Sequence, residues 1–145
     1  MTTRVWPRRV KTAFYWFLAF EFVVGAITKY MPGETFYGPP YSVKSVDWGY
    51  PSWMRFVVGG LEFISAALLV VPSRRTRFLG ATILVFVLTG AVTTHIVNHN
   101  ALFESFAAPT HLIIMGLIAL TNWPADWRDV LRATAFTTVR APGSS

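Results

Sequence analysis

Long apolar segments alternate with short polar ones along the chain. Four apolar segments stand out, at residues 12–30, 53–71, 78–97 and 107–123. Each is close to the roughly 20 residues that an α-helix needs to cross the hydrocarbon core of a bilayer. The pattern predicts an all-α protein, in which residues 1–145 form a single membrane domain built as a four-helix transmembrane bundle.

The polar segments between these spans predict the orientation of the bundle. The sequence PSRRTR at residues 72–77 separates the second and third spans, and Pro72 is expected to end a helix. Basic residues concentrate on the cytoplasmic side of membrane proteins. With both termini cytoplasmic, ten of the 13 basic residues lie on that side, and Lys29, Lys44 and Arg55 lie on the other. We therefore predict a multi-pass protein of the inner (cytoplasmic) membrane with cytoplasmic N- and C-termini.

Two segments outside the spans have patterns of their own. Residues 31–52 are rich in Gly, Pro and Tyr, and they either fold over the outer mouth of the bundle or form a flexible surface loop. At residues 125–136, apolar positions recur at helical spacing, with Arg128, Asp129 and Arg132 off the apolar stripe. This spacing predicts a short amphipathic helix on the cytoplasmic membrane surface.

Composition agrees with a membrane protein and excludes several classes of function. The chain is 53% hydrophobic and 14% charged, against about a quarter charged residues in a soluble domain. The net charge of +6 comes from residues at the ends of apolar runs, so we expect contact with lipid and no nucleic-acid partner. Because the chain has no cysteine, disulfides, thiolate metal sites and thiol redox chemistry within it are excluded.

Two glutamates lie deep in the predicted spans. Glu62 is near the middle of the second span, and Glu21 is near the middle of the first. An isolated ionised carboxylate at that depth is strongly disfavoured, so we expect each to be neutral, to share a proton or to face a cation. Gly59 shares a helix face with Glu62, and Gly25 with Glu21, so both glutamates are expected to point into the bundle.

Four further polar residues are predicted to form a layer outward of the two glutamates. Lys29 and Arg55 lie about two helical turns from Glu21 and Glu62 along their own helices. Direct contact within one helix is therefore not expected, but a pair between helices or a water-linked chain is. His95 and His111 lie near the outer ends of the third and fourth spans, at comparable depth.

Four interpretations of this polar layer remain open from the residues alone. The side chains tie helices together in lipid, or they bind the polar head of a small molecule, such as a quinone carbonyl, with proton exchange through the glutamates. Two histidines and one or two carboxylates would suit a metal, although no close-spaced metal motif is present. A bis-histidine haem between the third and fourth spans is the fourth interpretation; a metal and a haem are the less favoured ones.

Several motifs resemble those of the DoxX-like family of small membrane proteins. They are GAITKY closing the first span, WGYPSW opening the second, GGLEFISAALLVVPSRRTRFLGATIL across the second and third, and GAVTTH closing the third. The resemblance covers about residues 14–120. It matches Lys29 to the family's first-helix lysine, Glu62 to its second-helix acid, Arg75 or Arg77 to its basic turn and His95 to its third-helix histidine.

The resemblance implies a membrane subunit of a redox system, because some relatives belong to thiosulfate:quinone oxidoreductases or terminal quinol oxidases. We therefore expect a quinone-linked subunit rather than a stand-alone enzyme. Lys29 and His95 would hold the polar head of a small amphipathic ligand, and Glu62 with Glu21 would carry or balance a proton. The alternative is a non-catalytic accessory subunit that anchors or stabilises a larger membrane complex. Both hypotheses expect other membrane-protein subunits as partners.

Overall fold

The described part of the chain folds into five α-helices. A computed structural model describes residues 7–36, 38–99 and 102–124. Its helices are α1 (Arg8–Tyr30), α2 (Tyr41–Asp47), α3 (Met54–Val70), α4 (Arg74–Val97) and α5 (Leu102–Thr121). No strand occurs among these residues, apart from an isolated bridge between Thr35 and Gly38. The prediction of an all-α fold is confirmed.

The four long helices pack in the order α1, α3, α4 and α5, each against the next. Their shared core includes Leu18, Leu69, Leu84 and Met115, one from each helix and each at most 1% exposed. The backbones of α1 and α5 stay apart over the described residues, and these two helices meet only through long side chains such as Glu21 and His111. Just beyond the end of α5, Asn122 Nδ2 donates a hydrogen bond to the hydroxyl of Tyr15 on α1, at 3.0 Å.

Helix boundaries follow the polar turns that the sequence predicts. The helix α3 ends at Val70, two residues before Pro72, and α4 begins at Arg74. Arg77 closes this turn by donating from Nε to the carbonyl of Leu69, while its guanidinium lies 4.0 Å from the ring centre of Tyr15. The surface helix predicted at residues 125–136 lies outside the described residues.

The segment between α1 and α3 folds against the long helices. The helix α2 packs on both α1 and α3. It ends in a Schellman motif, in which Tyr50 N–H donates to Ser45 and Gly49 N–H donates to Val46. The motif requires a left-handed residue, and Gly49 supplies it with φ of +80°. The segment around α2 is therefore folded against the long helices, and it is not a flexible surface loop.

The outward faces of the long helices are apolar and exposed. Phe20 on α1 is 67% exposed, Phe86 on α4 is 75% exposed and Leu120 on α5 is 67% exposed. By length and composition, α1 and α4 are apolar enough to cross a membrane. Large apolar side chains that face outward on such helices are typical of contact with lipid.

Candidate functional site

A buried ion pair joins α1 to α3. Lys29 Nζ lies 3.0 Å from Oε1 and 2.8 Å from Oε2 of Glu62. The two side chains are 12% and 9% exposed, so the pair is largely shielded from solvent. Lys29 also donates to the carbonyl of Gly25, at 3.3 Å. A glutamate at this depth is expected to be neutral, to share a proton or to face a cation. Glu62 faces a cation, Lys29, which comes from the neighbouring helix.

Two glycines make room for this pair. A Cβ atom on Gly25 would lie 3.9 Å from Glu62 Oε2, so the bare backbone of α1 borders the carboxylate. A Cβ atom on Gly59 would lie only 2.7 Å from Cε2 of Tyr30. The Tyr30 ring therefore packs directly on the backbone of α3, and its hydroxyl donates to the carbonyl of Phe56. This contact determines how far α1 reaches along α3.

The resulting offset between α1 and α3 separates the two glutamates. Glu62 faces Gly25, which lies four residues, or about one helical turn, from Glu21. In the sequence each glutamate lies near the middle of its own span, which does not fix the offset between α1 and α3. In the structure Glu62 lies about one turn beyond Glu21 along α1, within reach of Lys29.

The ion pair forms part of the wall of a cavity of about 400 Å³. Ligand pockets commonly have volumes of about 300–1,000 Å³, so a small molecule would fit here. The polar part of the wall contains Lys29, Glu62, Arg55 and His95. Most of the remaining wall is apolar and comes from α3 and α4, with Val57, Val58, Leu61, Phe86, Val87 and Leu88.

Aromatic residues from α2 and the residues that follow it, together residues 41–52 (the α2 segment), cover one side of the cavity. Tyr41 and Trp48 line it, and Lys29 Nζ lies 4.9 Å from the centre of the Tyr41 ring. The Tyr50 hydroxyl lies 3.1 Å from Oγ1 of Thr94 on α4. Because Thr94 donates its own proton to the carbonyl of Gly90, Tyr50 is the donor in this contact. The bond attaches the end of the α2 segment to α4.

Arg55 and His95 lie at the cavity in different surroundings. The Nε and Nη1 atoms of Arg55 are buried and have no hydrogen-bond partner within the described residues. Its guanidinium carbon lies 4.3 Å from the centre of the Phe56 ring, a cation–π contact in which the ring offers no conventional hydrogen-bond acceptor. The His95 ring packs edge-on against Trp48, with ring centres 5.6 Å apart.

A second polar pair, separate from the cavity wall, joins α1 to α5. His111 Nε2 lies 3.2 Å from Oε2 of Glu21, and its Nδ1 lies 2.8 Å from the carbonyl oxygen of Ala107. A carbonyl oxygen and an ionised carboxylate only accept hydrogen bonds. Both contacts can be hydrogen bonds only if His111 is doubly protonated or Glu21 is protonated. The two side chains therefore hold one proton between them when both bonds are made.

The polar layer predicted from the sequence thus divides into two groups. Lys29, Arg55 and His95 border the cavity together with Glu62, whereas His111 faces α1 and pairs with Glu21. Both ring nitrogens of His111 are engaged, so in this arrangement neither is free to bind a haem iron opposite His95. Among the described residues, no group of three or more His, Cys, Asp or Glu could hold a metal ion.

Sequence reasoning missed the part of the site that comes from the α2 segment. By sequence alone, the rings of Tyr41, Trp48 and Tyr50 indicate a position at the membrane interface, because such rings favour that level. Their density in a loop rich in Gly and Pro was the available signal, since long loops without regular structure are uncommon unless they have a function. Which helices the loop covers could be read only from the tertiary structure.

Comparison with known families agrees with the motifs around these residues. The model of the DoxX-like family matches residues 13–120, nearly all of the described helices. The chain belongs to the DoxX-like family. This is a family of small membrane proteins, and the long apolar helices α1 and α4 agree with that membership. No curated protein and no solved structure matches the chain. Membership in the DoxX-like family therefore makes this a membrane protein in contact with lipid.

Proposed function

We propose that α1, α3, α4 and α5 form a four-helix transmembrane bundle in the inner (cytoplasmic) membrane, with both termini cytoplasmic. Three arginines lie in or near the turn between α3 and α4, at Arg74, Arg75 and Arg77. This turn would lie on the cytoplasmic side, and the α2 segment on the opposite side. The exposed apolar faces of α1, α4 and α5 would contact the acyl chains.

Because the chain lacks cysteine, its topology can be tested with single cysteines. Ser52→Cys, next to α3 on the α2 side, is expected to react with a membrane-impermeant maleimide in intact cells. Ser73→Cys, in the arginine-rich turn, is expected to react only after permeabilisation. Labelling is read by a gel shift, and the cysteine-free parent chain is the control. Labelling of Ser73→Cys in intact cells would contradict this orientation.

Within that bundle, the protein would bind a small amphipathic molecule as a subunit of a quinone-linked redox system. The observation that carries this proposal is the cavity of about 400 Å³, whose apolar wall is interrupted by a compact polar group. An apolar pocket with a few convergent polar groups is the usual form of a small-molecule site. Lys29 and His95 would contact the polar head of the ligand, and the apolar residues of α3 and α4 its tail.

Proton exchange with the ligand would involve Glu62 rather than Glu21. Only Glu62 borders the cavity, and it already accepts two hydrogen bonds from Lys29. The Glu21–His111 pair joins α1 to α5 and does not line the cavity. Glu62→Gln is therefore expected to impair turnover of the native redox system, whereas Glu34→Gln, on the exposed loop after α1, should leave turnover unchanged.

Blocking the cavity is the direct test of ligand binding. Ala91 lines the cavity, so Ala91→Trp should fill much of it and abolish binding of decylubiquinone, together with any quinone that co-purifies with the parent protein. Ile113→Trp is the matched control, because Ile113 lies on α5 and its side chain is 65% exposed. Binding is measured by titration in nanodiscs, and co-purified quinone by mass spectrometry. If decylubiquinone binds the parent and Ala91→Trp equally, or binds neither, the quinone proposal fails.

A non-catalytic accessory role is the second candidate. It is favoured by the Lys29–Glu62 pair, which directly ties α1 to α3 and would need no ligand to explain it. Quinone binding distinguishes the two functions, because both predict migration with larger membrane proteins on a native gel after gentle solubilisation. An accessory subunit should migrate with larger membrane proteins and bind no quinone. A stable lone monomer would contradict the accessory role.

A further inference from the structure

Arg55 is the one side chain on the cavity wall whose buried hydrogen-bond donors have no partner among the described residues. Its Nε and Nη1 atoms are shielded from solvent and bond to nothing there. A buried donor without an acceptor is costly, and more so when it carries a charge. The Phe56 ring compensates the charge through its face but leaves the N–H groups unsatisfied. A partner with acceptor oxygens would remove this cost.

The charges around the cavity identify the kind of partner. Lys29 and Glu62 neutralise each other at 2.8 Å, and Arg55 adds a second positive charge. Apart from His95, the charged side chains of the cavity wall therefore sum to one positive charge. A ligand head with a single negative charge would balance it, whereas a neutral head would leave Arg55 uncompensated.

The position of Arg55 strengthens the preference for an anion. Arg55 is the second residue of α3, and the first turn of that helix has no acidic residue and no side-chain cap. The N-terminus of a helix carries a partial positive charge and favours anions near its first turn. The helix and the guanidinium thus act on the same part of the cavity, next to Met54 and Val57, which also line it.

We propose that the cavity selects an amphiphile with a carboxylate head, which binds to Arg55 while its apolar tail lies along α3 and α4. A carboxylate carries one negative charge, matching the excess charge of the wall, and its two oxygens suit the planar fork of a guanidinium. This inference rests on the proposed binding of a small amphipathic molecule in the cavity, and it goes beyond the quinone proposal, because it assigns the ligand a charged head.

The test compares matched amphiphiles on the full-length protein in nanodiscs of zwitterionic phosphatidylcholine. Laurate and its methyl ester share one chain and differ in head charge, and decylubiquinone supplies a neutral quinone head. Laurate is expected to bind at least about tenfold more tightly than methyl laurate. Arg55→Gln should remove this difference, by weakening laurate about tenfold while changing methyl laurate little. Arg55→Lys should retain part of it, because it keeps the charge and loses the fork.

Controls separate loss of the site from loss of the fold or of bulk charge. Arg75→Gln removes the same charge from an exposed position in the first turn of α4, and laurate affinity should not change. Thermal unfolding of Arg55→Gln and Arg55→Lys shows whether each variant is folded. If Arg55→Gln is unfolded, the laurate affinity of Arg55→Lys is compared with that of the parent, and a loss of affinity supports the proposal. Nanodiscs that contain phosphatidylglycerol test a lipid phosphate as the occupant.

Each outcome has a defined meaning. Equal binding of laurate and methyl laurate, or laurate binding that is unchanged in both Arg55 variants, would overturn the carboxylate proposal. Full displacement of laurate by phosphatidylglycerol would also overturn it, in favour of a phospholipid. If decylubiquinone binds and laurate does not, the inference fails while the proposed function stands. If Ala91→Trp blocks the binding of neither laurate nor decylubiquinone, both the carboxylate inference and the proposed function fail.

Discussion

Replacing Lys29 by methionine should lower the free energy of unfolding by about 3–5 kcal/mol, because the change leaves the buried charge of Glu62 without its cation. Glu62 is 7% exposed, and both hydrogen bonds recorded for its carboxylate come from Lys29. Methionine keeps the length and apolar stem of the side chain, so the loss should come from the charge rather than from a cavity. The measurement is equilibrium unfolding in mixed micelles, followed by helical circular dichroism.

A double variant and a surface control identify the cause of that loss. Lys29→Met combined with Glu62→Leu removes both charges, and it should recover most of the stability, since an apolar pair can replace a buried ion pair at little cost. Lys11→Met removes an exposed lysine from the same helix and should change stability by less than about 1 kcal/mol. If Lys29→Met costs no more than Lys11→Met, the ion pair does not stabilise the fold.

Replacing Gly80 by alanine is expected to destabilise the protein by about 1–3 kcal/mol through overpacking at the contact of α3 and α4. A Cβ atom there would lie 2.9 Å from the carbonyl oxygen of Ser65 and 3.0 Å from Cβ of Leu68. Neither atom is the end of a flexible side chain, so the two helix backbones would have to move apart. Small residues at such contacts let transmembrane helices approach closely.

Gly90, ten residues along the same helix, provides the matched control. A Cβ atom at Gly90 would meet nothing within 4 Å. Gly90→Ala should therefore leave stability within about 1 kcal/mol of the parent, or raise it slightly, because alanine favours a helix more than glycine does. Equal effects of the two substitutions in thermal unfolding would show that helix propensity, not packing, governs this contact.

The predictions on the ion pair and on Arg55 distinguish the residues of the cavity wall that stabilise the fold from the residue that binds the ligand. Lys29 and Glu62 satisfy each other, so they are the groups expected to matter most for stability. Arg55 has buried donors with no described partner, so it is the group expected to matter most for the ligand. Glu62 thus ties two helices and also borders the cavity.

Much of the fold could be predicted from the hydrophobic pattern. The four apolar segments overlap α1, α3, α4 and α5, with ends that differ by up to five residues, and Pro72 lies two residues beyond the end of α3 as expected. These features are local, since the length of an apolar run and the backbone of proline act within one segment. The residues of the cavity wall were also recognised in part, because charged groups within apolar spans are costly and therefore stand out.

The pairing of those residues depended on contacts that no local pattern encodes. Packing of Tyr30 on Gly59 sets the offset between α1 and α3, and that offset places Lys29 beside Glu62 and leaves Glu21 to His111. The covering of the cavity by Tyr41 and Trp48 likewise depends on where the α2 segment docks. Hydrophobicity and spacing indicate which residues must avoid lipid or water. The axial shift and rotation of one helix against another depend instead on side-chain packing across the whole bundle. The chain pattern was therefore sufficient for the helices and the candidate polar residues, and only the tertiary structure decided which of them meet.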